Sequence, residues 1–243
     1  MIENVKYQAI YDYLVTSFAT ELRPGDKVPS ERELCEKFGV SRMTVRQAIG
    51  DLVAEGKLER IQGKGTFVAH EKLDLQLRIT SFSQEMRMRG MVPATRVLSC
   101  EERMPSASVA TSLGLQENQT IYYIRRLRFA DDTPMCVETT HLPAHLLPDF
   151  ITPQPPEGIY SELNQRGFSP SWGEDVIESV VLDSEHSKLL EVSLGAAGLL
   201  VNRRSYAQDT PICLTQSYYR GDRYKLWVPI AQPFATVNRG ARA

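Results

Sequence analysis

The stretch SERELCEKFGVSRMTVRQA at residues 30–48 decides the fold of the first part of the chain. Ser30, with Glu33 three residues later, has the spacing of a capping box and predicts the start of a helix. Gly39 suits the left-handed residue that ends this helix, and Ser41 is a typical N-cap for the next one. The pattern therefore predicts two helices joined by a tight turn, which is the helix-turn-helix arrangement.

Apolar periodicity predicts one more helix before this stretch and a hairpin after it. Upstream, side chains at helical spacing form one apolar stripe: Tyr7, Ile10, Tyr11, Leu14, Val15 and Phe18. Downstream, Gly56 ends the third helix, and residues 58–61 and 66–68 have the pattern of two short strands. The glycine-rich turn at residues 63–65 (GKG) suits a hairpin tip that contacts a minor groove or a phosphate backbone. Three helices followed by such a hairpin predict a winged helix-turn-helix.

The third helix carries side chains of the types that contact DNA bases. Its inner face is apolar and consists of Val45, Ala48, Ile49, Leu52 and Val53. Its outer face and first turn present Arg42, Met43, Thr44, Arg46, Gln47 and Gly50. Arginine pairs with guanine, glutamine with adenine, and threonine with phosphate or thymine. Two alternatives stay open, a plain packing module and a nucleotide-phosphate loop at the glycine pair, although no strand-loop-helix context supports the second.

Charge and composition limit the classes of function. The chain has 243 residues, of which 42% are apolar, and a formal net charge of −2, so it can form a sizeable core but has no basic tail. Between residues 39 and 50 there are nevertheless two arginines and no acid. Because charges farther away than about 10 Å are screened, a locally basic face still binds phosphate.

The cysteines and the lack of long apolar segments predict a reduced, cytoplasmic protein. Cys35, Cys100, Cys136 and Cys213 show no CxxC spacing, so free thiols are expected rather than a disulfide framework. No signal peptide opens the chain, and no apolar run approaches the roughly 20 residues that a membrane span needs. We expect no membrane partner and no cofactor.

Taken together, residues 5–69 resemble the DNA-binding domain of the GntR family of bacterial transcription regulators. The resemblance rests on PSEREL at residues 29–34, VSRMTVRQA at residues 40–48 and GKGTFV at residues 63–68. It implies that the arginines Arg32, Arg42 and Arg46 contact operator DNA. It implies the same of Thr44, Gln47 and the hairpin-tip residues Gly63, Lys64 and Gly65.

The second part of the chain contains an internal duplication. Residues 132–137 (DTPMCV) are echoed 77 residues later by residues 209–214 (DTPICL), and Arg126 is echoed by Arg203 at the same offset. Each copy predicts a helix, a strand, a tight turn and a second strand. The predicted segments are residues 106–113, 120–130 and 134–142 in one copy and 184–194, 199–207 and 211–219 in the other. We therefore expect a pseudo-symmetric antiparallel sheet with helices on one side, an α+β domain.

Three features of this second part suit a ligand. Ser81 and Gln84 have capping-box spacing, and a helix start offers amides and a hydroxyl to an anion. Arg126 and Arg128 lie two apart on a predicted strand, so both project from one face and suit a phosphate or carboxylate. Glu138, on the adjacent strand, would accept hydrogen bonds from hydroxyl groups. The combination is typical of a site for a phosphorylated sugar.

Other interpretations of these residues remain. Ser81 also suits an ordinary helix cap, and Arg126 and Arg128 also suit ion pairs with carboxylates on neighbouring strands. His141 and His145 are separated by a proline and do not share a helical face, so we expect no metal site. No nucleophile with a recognisable base partner is present, so we expect no catalytic residues.

Further motifs resemble the effector-binding UTRA domain of the HutC subfamily. They are LRITSF at residues 77–82, RMRGMVP at 87–93, RLRF at 126–129 and YYRGDRY at 218–224. The resemblance covers about residues 75–230, implies a chorismate-lyase-like fold, and is closest to regulators of amino-sugar use. It implies that the phosphate of N-acetylglucosamine 6-phosphate or glucosamine 6-phosphate contacts Ser81, Phe82, Arg126 and Arg128. It implies that the sugar faces Glu138, Tyr160 and Tyr219.

One position departs from this pattern. Cys213 stands where the family often has a glutamate, and a thiol cannot replace a charged acceptor. Another phosphorylated or acidic metabolite is therefore an alternative effector.

The expected organisation follows from both resemblances. Residues 1–69 form the DNA-binding domain, 70–78 a linker, 79–235 the effector-binding and dimerisation domain, and 236–243 a tail. The expected function is a homodimeric repressor whose affinity for a palindromic double-stranded operator is controlled by a small anionic metabolite. A chorismate-lyase-like enzyme is the less favoured alternative.

Overall fold

The chain forms two compact units, Met1–Lys72 and Leu73–Ala243. The computed structural model describes residues 2–61, 63–70, 72–75, 80–226 and 228. Parts of the predicted linker (71 and 76–78), residues 229–235 and the predicted tail lie outside the described residues.

The first unit is a three-helix bundle with a two-stranded hairpin. Its elements are α1 (Ile2–Thr20), α2 (Glu31–Phe38), α3 (Arg42–Ala54), β1 (Leu58–Ile61) and β2 (Gly65–Val68). The two strands pair antiparallel, with Ile61 opposite Gly65. One core joins all the elements, and its buried members are Ile10, Leu14, Val28, Leu34, Val45, Ala48, Ile49, Leu52, Leu58 and Val68. This arrangement confirms the predicted winged helix-turn-helix.

Local capping determines where the two central helices begin and end. The Ser30 side chain accepts a hydrogen bond from the Glu33 N–H while the Glu33 carboxylate accepts one from the Ser30 N–H, which completes the predicted capping box. Gly39 ends α2 with φ of 60°, a left-handed conformation in which a side chain would be strained. Ser41 then caps α3 through the Thr44 N–H. The turn between the helices is held by these local caps, and the carbonyl of Gly39 also accepts a hydrogen bond from Nζ of Lys6 over 3.2 Å.

The second unit contains one large antiparallel sheet. The short strand β3 (Leu73–Asp74) comes first and is not part of this sheet. The strands of the large sheet are β4 (Pro93–Arg103), β5 (Ile121–Ala130), β6 (Thr133–Pro143), β7 (Trp172–Val181), β8 (Ala197–Ala207) and β9 (Thr210–Arg220). Its helices are α4 (Phe82–Met88), α5 (Ala107–Leu113), α6 (Ile159–Gln165) and α7 (Ser184–Leu189). The sheet order is β4-β5-β6-β9-β8-β7, so the two sequence halves meet between β6 and β9.

The predicted duplication is confirmed in backbone detail. The pairing of β5 with β6 shifts register after Arg128, and the pairing of β8 with β9 shifts after Ser205, 77 residues later. Left-handed residues recur at the same offset, at Gly114 (φ 62°) and Glu191 (φ 55°), and again at residues 131 and 208. Each half is thus one strand-helix-strand-strand unit. The first strand of each half, β4 or β7, lies at an edge of the sheet and was missing from the sequence prediction.

Helices cover both faces of the sheet, so the predicted placement on one side is wrong. Ile124 and Leu127 lie three apart on β5 and therefore point to opposite faces. Ile124 packs in a cluster with Ile159 of α6, whereas Leu127 packs in a cluster with Leu190 next to α7.

The segment predicted as a linker is partly structured. Residues Leu73–Asp74 form β3, which pairs in parallel with β10 (Tyr224–Lys225). Leu75 is buried and donates its N–H to the carbonyl of Lys225 over 2.7 Å. Residues 73–75 therefore belong to the second unit.

Replacing Glu191, whose backbone is left-handed, by glycine should stabilise the protein. Glu191 is exposed and has φ of 55°, where its counterpart in the first half is Gly114. Because glycine carries no Cβ penalty there, we expect Glu191→Gly to raise the free energy of unfolding by about 0.5–1 kcal/mol in urea denaturation. Lys188→Gly, inside α7, is the matched control and should lower it by about 1 kcal/mol. A loss in both variants would contradict the strain argument.

Candidate DNA-reading surface and ligand cleft

The outer face of α3 presents a group of exposed polar and sulfur-containing side chains. Arg42, Arg46 and Gln47 are all exposed, and Met43 is exposed by 74%. Since Val45 and Ala48 of the same helix are fully buried, α3 has one face in the core and the other open to a partner. The sequence prediction named Met43 as an outer-face residue but assigned it no contact; its exposure suits contact with a thymine methyl group.

Thr44 differs from the predicted outer-face position. It is only 7% exposed, because its hydroxyl lies 2.9 Å from the hydroxyl of Ser41 at the start of α3. Its hydroxyl therefore belongs to the capped first turn of α3, and its contact with DNA stays a prediction. The spacing correctly placed Thr44 in the first turn of α3, but it could not show that the Thr44 hydroxyl is hydrogen-bonded to the Ser41 hydroxyl.

The remaining predicted DNA-contact residues are exposed on α2 and the hairpin. Arg32 is exposed on α2, and Gly63, Lys64 and Gly65 are exposed at the hairpin tip. Both glycines have positive φ, 75° and 127°, and a Cβ on Gly65 would lie 2.7 Å from the Cε atom of Lys27. The tight tip therefore depends on glycine and leaves its backbone open to a close approach.

One carboxylate connects arginines of α3 and the hairpin. The Nε atom of Arg46 donates to Glu31 over 2.8 Å, and Arg60 on β1 lies 3.9 Å from the second oxygen of the same carboxylate. Neither Glu31 nor Arg60 was among the predicted DNA-contact residues.

A cleft in the second unit collects the predicted ligand residues. About 730 Å³ of space that no protein atom fills lies within it, open solvent at its mouth included. All seven predicted effector residues line it: Ser81, Phe82, Arg126, Arg128, Glu138, Tyr160 and Tyr219. The cleft lies over the sheet face that carries Ile124, against α4 and the start of α6.

Arg128 is the most unusual residue of the cleft. It is 2% exposed, and its Nη2 atom donates to the hydroxyl of Ser83 over 3.1 Å. Its Nε and Nη1 atoms are buried and have no hydrogen-bond partner among the described residues. Burial lowers the pKa of Arg128 from its ordinary value. Because buried donors without partners are costly, this guanidinium is poised for an anionic acceptor.

Arg126 is already paired in this structure. It forms an ion pair with Glu138, which lies directly opposite on β6, and it also donates to the carbonyl of Glu157 over 3.3 Å. Burial alone would raise the pKa of Glu138, but Arg126 and Arg128 together hold it below its ordinary value. Glu138 therefore stays a charged acceptor, and the predicted alternative of a cross-strand ion pair is realised at one of the two arginines.

The other predicted residues form the walls of the cleft. Ser81 and Gln84 form the predicted capping box of α4, and the ring of Phe82 lies 4.9 Å from the guanidinium of Arg128. The Tyr160 hydroxyl lies 2.9 Å from that of Ser205, and burial raises its pKa to about 12. Burial also raises the pKa of Tyr219. Both tyrosines are thus neutral hydroxyl groups that can donate or accept.

Sequence reasoning missed two groups of the cleft that the duplication brings there. Arg203, the counterpart of Arg126, lines the opposite side and makes two 2.7 Å hydrogen bonds to Asp175. Thr215, the counterpart of Glu138, lines it as well. The 77-residue offset was the signal that could have identified both. The cleft therefore spans the junction of the two halves, with its unpaired positive charge in the first half.

Cys213 also lines the cleft. It is fully buried, and burial raises the pKa of its thiol to about 11. A neutral thiol offers no negative charge at this wall of the cleft. A molecule bound in the cleft would contact a small, weakly polar group at Cys213.

The described residues contain no cluster of three or more potential metal ligands. Within the same ranges, no helix is both long and apolar enough to cross a membrane.

The first unit has a helix with an exposed polar face and a glycine-rich hairpin, and the second unit has a cleft lined by buried arginines. Together these features define the class of ligand-responsive DNA-binding regulators. Residues 6–68 match the description "Bacterial regulatory proteins, gntR family", and residues 88–225 match "UTRA domain". The chain belongs to the gntR family of bacterial regulatory proteins and carries a UTRA domain, so it is a transcription regulator and not an enzyme.

Named relatives support this membership along nearly the whole chain. The transcriptional repressor NagR of Bacillus subtilis (strain 168) is 37% identical over 90% of this chain and 91% of its own length. The histidine utilization repressor of Pseudomonas putida is 31% identical over 84% of this chain and 82% of its own length. The crystal structure of PhnF from Mycobacterium smegmatis superposes with a TM-score of 0.66 at 29% identity, covering 92% of this chain and all of that one.

Proposed function

We propose that this protein is a transcriptional repressor that binds a palindromic operator as a homodimer and releases it when a small anionic metabolite occupies the cleft. The repressor names of its relatives support the sign of regulation. Exposed Arg42, Arg46 and Gln47 on α3 would read base edges, while Arg32 and the hairpin tip at residues 63–65 would contact the backbone. Two α3 helices would enter half-sites about 34–36 Å apart.

The effector we propose is a phosphorylated amino sugar, N-acetylglucosamine 6-phosphate or glucosamine 6-phosphate. The observation that carries this proposal is the buried Arg128 guanidinium, whose Nε and Nη1 donors have no partner among the described residues. A phosphate oxygen would satisfy these donors by charge-assisted hydrogen bonds. Glu138 would then accept hydrogen bonds from the sugar hydroxyls, and the hydroxyls of Tyr160 and Tyr219 would donate hydrogen bonds to the sugar or accept them from it. The 37% identity to NagR supports the same class of ligand.

The alternative effector is a different acidic or phosphorylated metabolite. The observation that favours it is the neutral thiol of Cys213, at a position where the family often has a glutamate. A ligand with fewer hydroxyl donors would lose fewer hydrogen bonds where a thiol stands in place of a carboxylate.

We assign the roles of the chain by segment. Residues 1–69 would bind DNA, residues 79–235 would bind the effector and form the dimer, and residues 70–78 would transmit the ligand-bound state. The effector shifts the protein between DNA-competent and released states only by binding one of them more tightly.

A thermal-shift series tests the proposed ligand. At about 100 times its dissociation constant, a ligand should add about 2.7 kcal/mol to the stability of the folded state. We expect this shift with glucosamine 6-phosphate or its N-acetyl form, and none with the unphosphorylated sugars. A shift with a dicarboxylate of similar size but with neither sugar phosphate would support the alternative. No shift with any of these anions, in protein that binds operator, would contradict the cleft assignment.

A further inference from the structure

The carboxylate of Glu31 faces the surface proposed to bind DNA, where its charge opposes phosphate. Glu31 lies in the first turn of α2, and its side chain is 34% exposed. It is near the exposed Arg46 of α3 and Arg60 of the hairpin. A negative charge at this place lowers affinity for any duplex, unless it improves the contacts made by its neighbours.

The hydrogen bond between Glu31 and Arg46 uses Nε and leaves both terminal nitrogens of Arg46 available for a base. Glu31 accepts from Nε of Arg46 over 2.8 Å. The terminal nitrogens of Arg46 make no other hydrogen bond or ion pair within the part of the chain that the structure describes. An arginine that reads guanine in a bidentate way donates to O6 and N7. Holding Nε therefore directs both terminal groups outward in a fixed orientation.

The second oxygen of Glu31 faces the hairpin. It lies 3.9 Å from Nη2 of Arg60, and the Arg60 side chain is 50% exposed. The same carboxylate is thus near a cation on the recognition helix and a cation on the first strand of the wing. A long, exposed arginine loses considerable rotamer entropy when it binds, and a carboxylate that pre-orders it reduces that loss.

We propose that Glu31 is a positioning residue for operator recognition: it orients Arg46 for guanine. This inference rests on the proposed DNA contacts of α3. It assigns Glu31 a role in sequence discrimination, at some expense in affinity for DNA of any sequence. The opposite signs of these two effects separate it from a purely structural role in the first turn of α2.

The test uses the full-length protein and a duplex selected by the wild type from a randomised pool. Its affinity is compared with that for random duplex and for duplexes in which one guanine of each half-site is replaced. We expect Glu31→Gln to raise affinity for random duplex about twofold, because a negative charge is removed. We expect it to reduce discrimination against the guanine-substituted duplexes about fivefold, because Arg46 loses its orientation.

Glu36→Gln is the matched control. It removes the same charge from the same helix, where Glu36 lies 3.9 Å from Arg32 and both side chains are more than two-thirds exposed. It should raise random-duplex affinity similarly and leave discrimination unchanged. In an Arg46→Ala background, Glu31→Gln should cause no further loss of discrimination, since the two residues act through one contact.

The outcomes distinguish the inference from the proposed function. If the wild type selects no duplex, the proposed DNA-reading function fails. If the wild type selects a duplex and Glu31→Gln discriminates as well as it does, the positioning role is wrong. An equal loss of discrimination in Glu36→Gln would overturn it too. Circular dichroism and the thermal midpoint of each variant show whether α2 remains folded.

Discussion

Arg128→Met is expected to lower the stability of the ligand-free protein and to abolish its stabilisation by a sugar phosphate. The Arg128 guanidinium is 2% exposed, donates to the Ser83 hydroxyl over 3.1 Å and, together with Arg126, keeps the buried Glu138 charged. Removing one partner leaves these buried polar groups less well satisfied, which should cost about 1–3 kcal/mol. The same replacement removes the charged donors from the cleft, which costs a bound anion about 2–5 kcal/mol, or at least roughly thirtyfold in affinity.

The two effects are measured by thermal denaturation with and without ligand. Arg125→Met is the control, because Arg125 lies three residues before Arg128 on β5 and pairs over 2.6 Å with Glu185. It removes the same charge from outside the cleft and should leave the ligand-induced shift intact. An undiminished ligand-induced shift in Arg128→Met would show that the guanidinium is not a ligand-binding group.

Arg46→Ala should cause the largest loss of operator affinity among single substitutions on α3. The Arg46 side chain is 60% exposed and donates a hydrogen bond to Glu31. A bidentate contact to guanine contributes about 1–3 kcal/mol, and the proposed dimer would lose it in both half-sites. We therefore expect operator affinity to fall by about 2–6 kcal/mol, or at least roughly thirtyfold, with a much smaller change on random duplex.

Gel-shift titrations at one fixed salt concentration provide the measurement. Arg23→Ala removes an equal charge from the exposed loop before α2 and should weaken binding to both duplexes slightly and equally. Ligand-induced thermal stabilisation should be unchanged in Arg46→Ala. Equal losses on operator and random duplex would show that Arg46 contacts only phosphate.

The sequence predicted different features of the two groups of candidate residues, those on α3 and those in the cleft. On α3, the apolar stripe and the Ser41 cap together predicted which face is buried. The structure agrees except that Thr44 is buried and that Gly50 and Val53 are half-buried. In the cleft, alternation along β5 predicted that Arg126 and Arg128 share a face, and both line it. Alternation could not show that Arg126 is paired with Glu138 while two donors of Arg128 remain unpaired.

The two edge strands show why part of the sheet was not predicted. Strands β4 and β7 are mostly exposed or half-buried and lack a clean apolar alternation. A strand of this kind is stabilised by hydrogen bonds to its neighbour, and those depend on residues far away in sequence. The central strands carry buried side chains at many positions and were therefore visible from composition alone.

What the sequence by itself determined is local or repetitive. Helix caps at Ser30, Ser41 and Ser81 depend on groups three residues apart, and the duplication is a comparison of the chain with itself. Only the tertiary structure decided that helices cover both sheet faces, that Arg203 joins the cleft, and that Glu31 holds Arg46. These depend on which distant side chains meet, because burial and charge pairing arise from packing between elements and not from spacing within one.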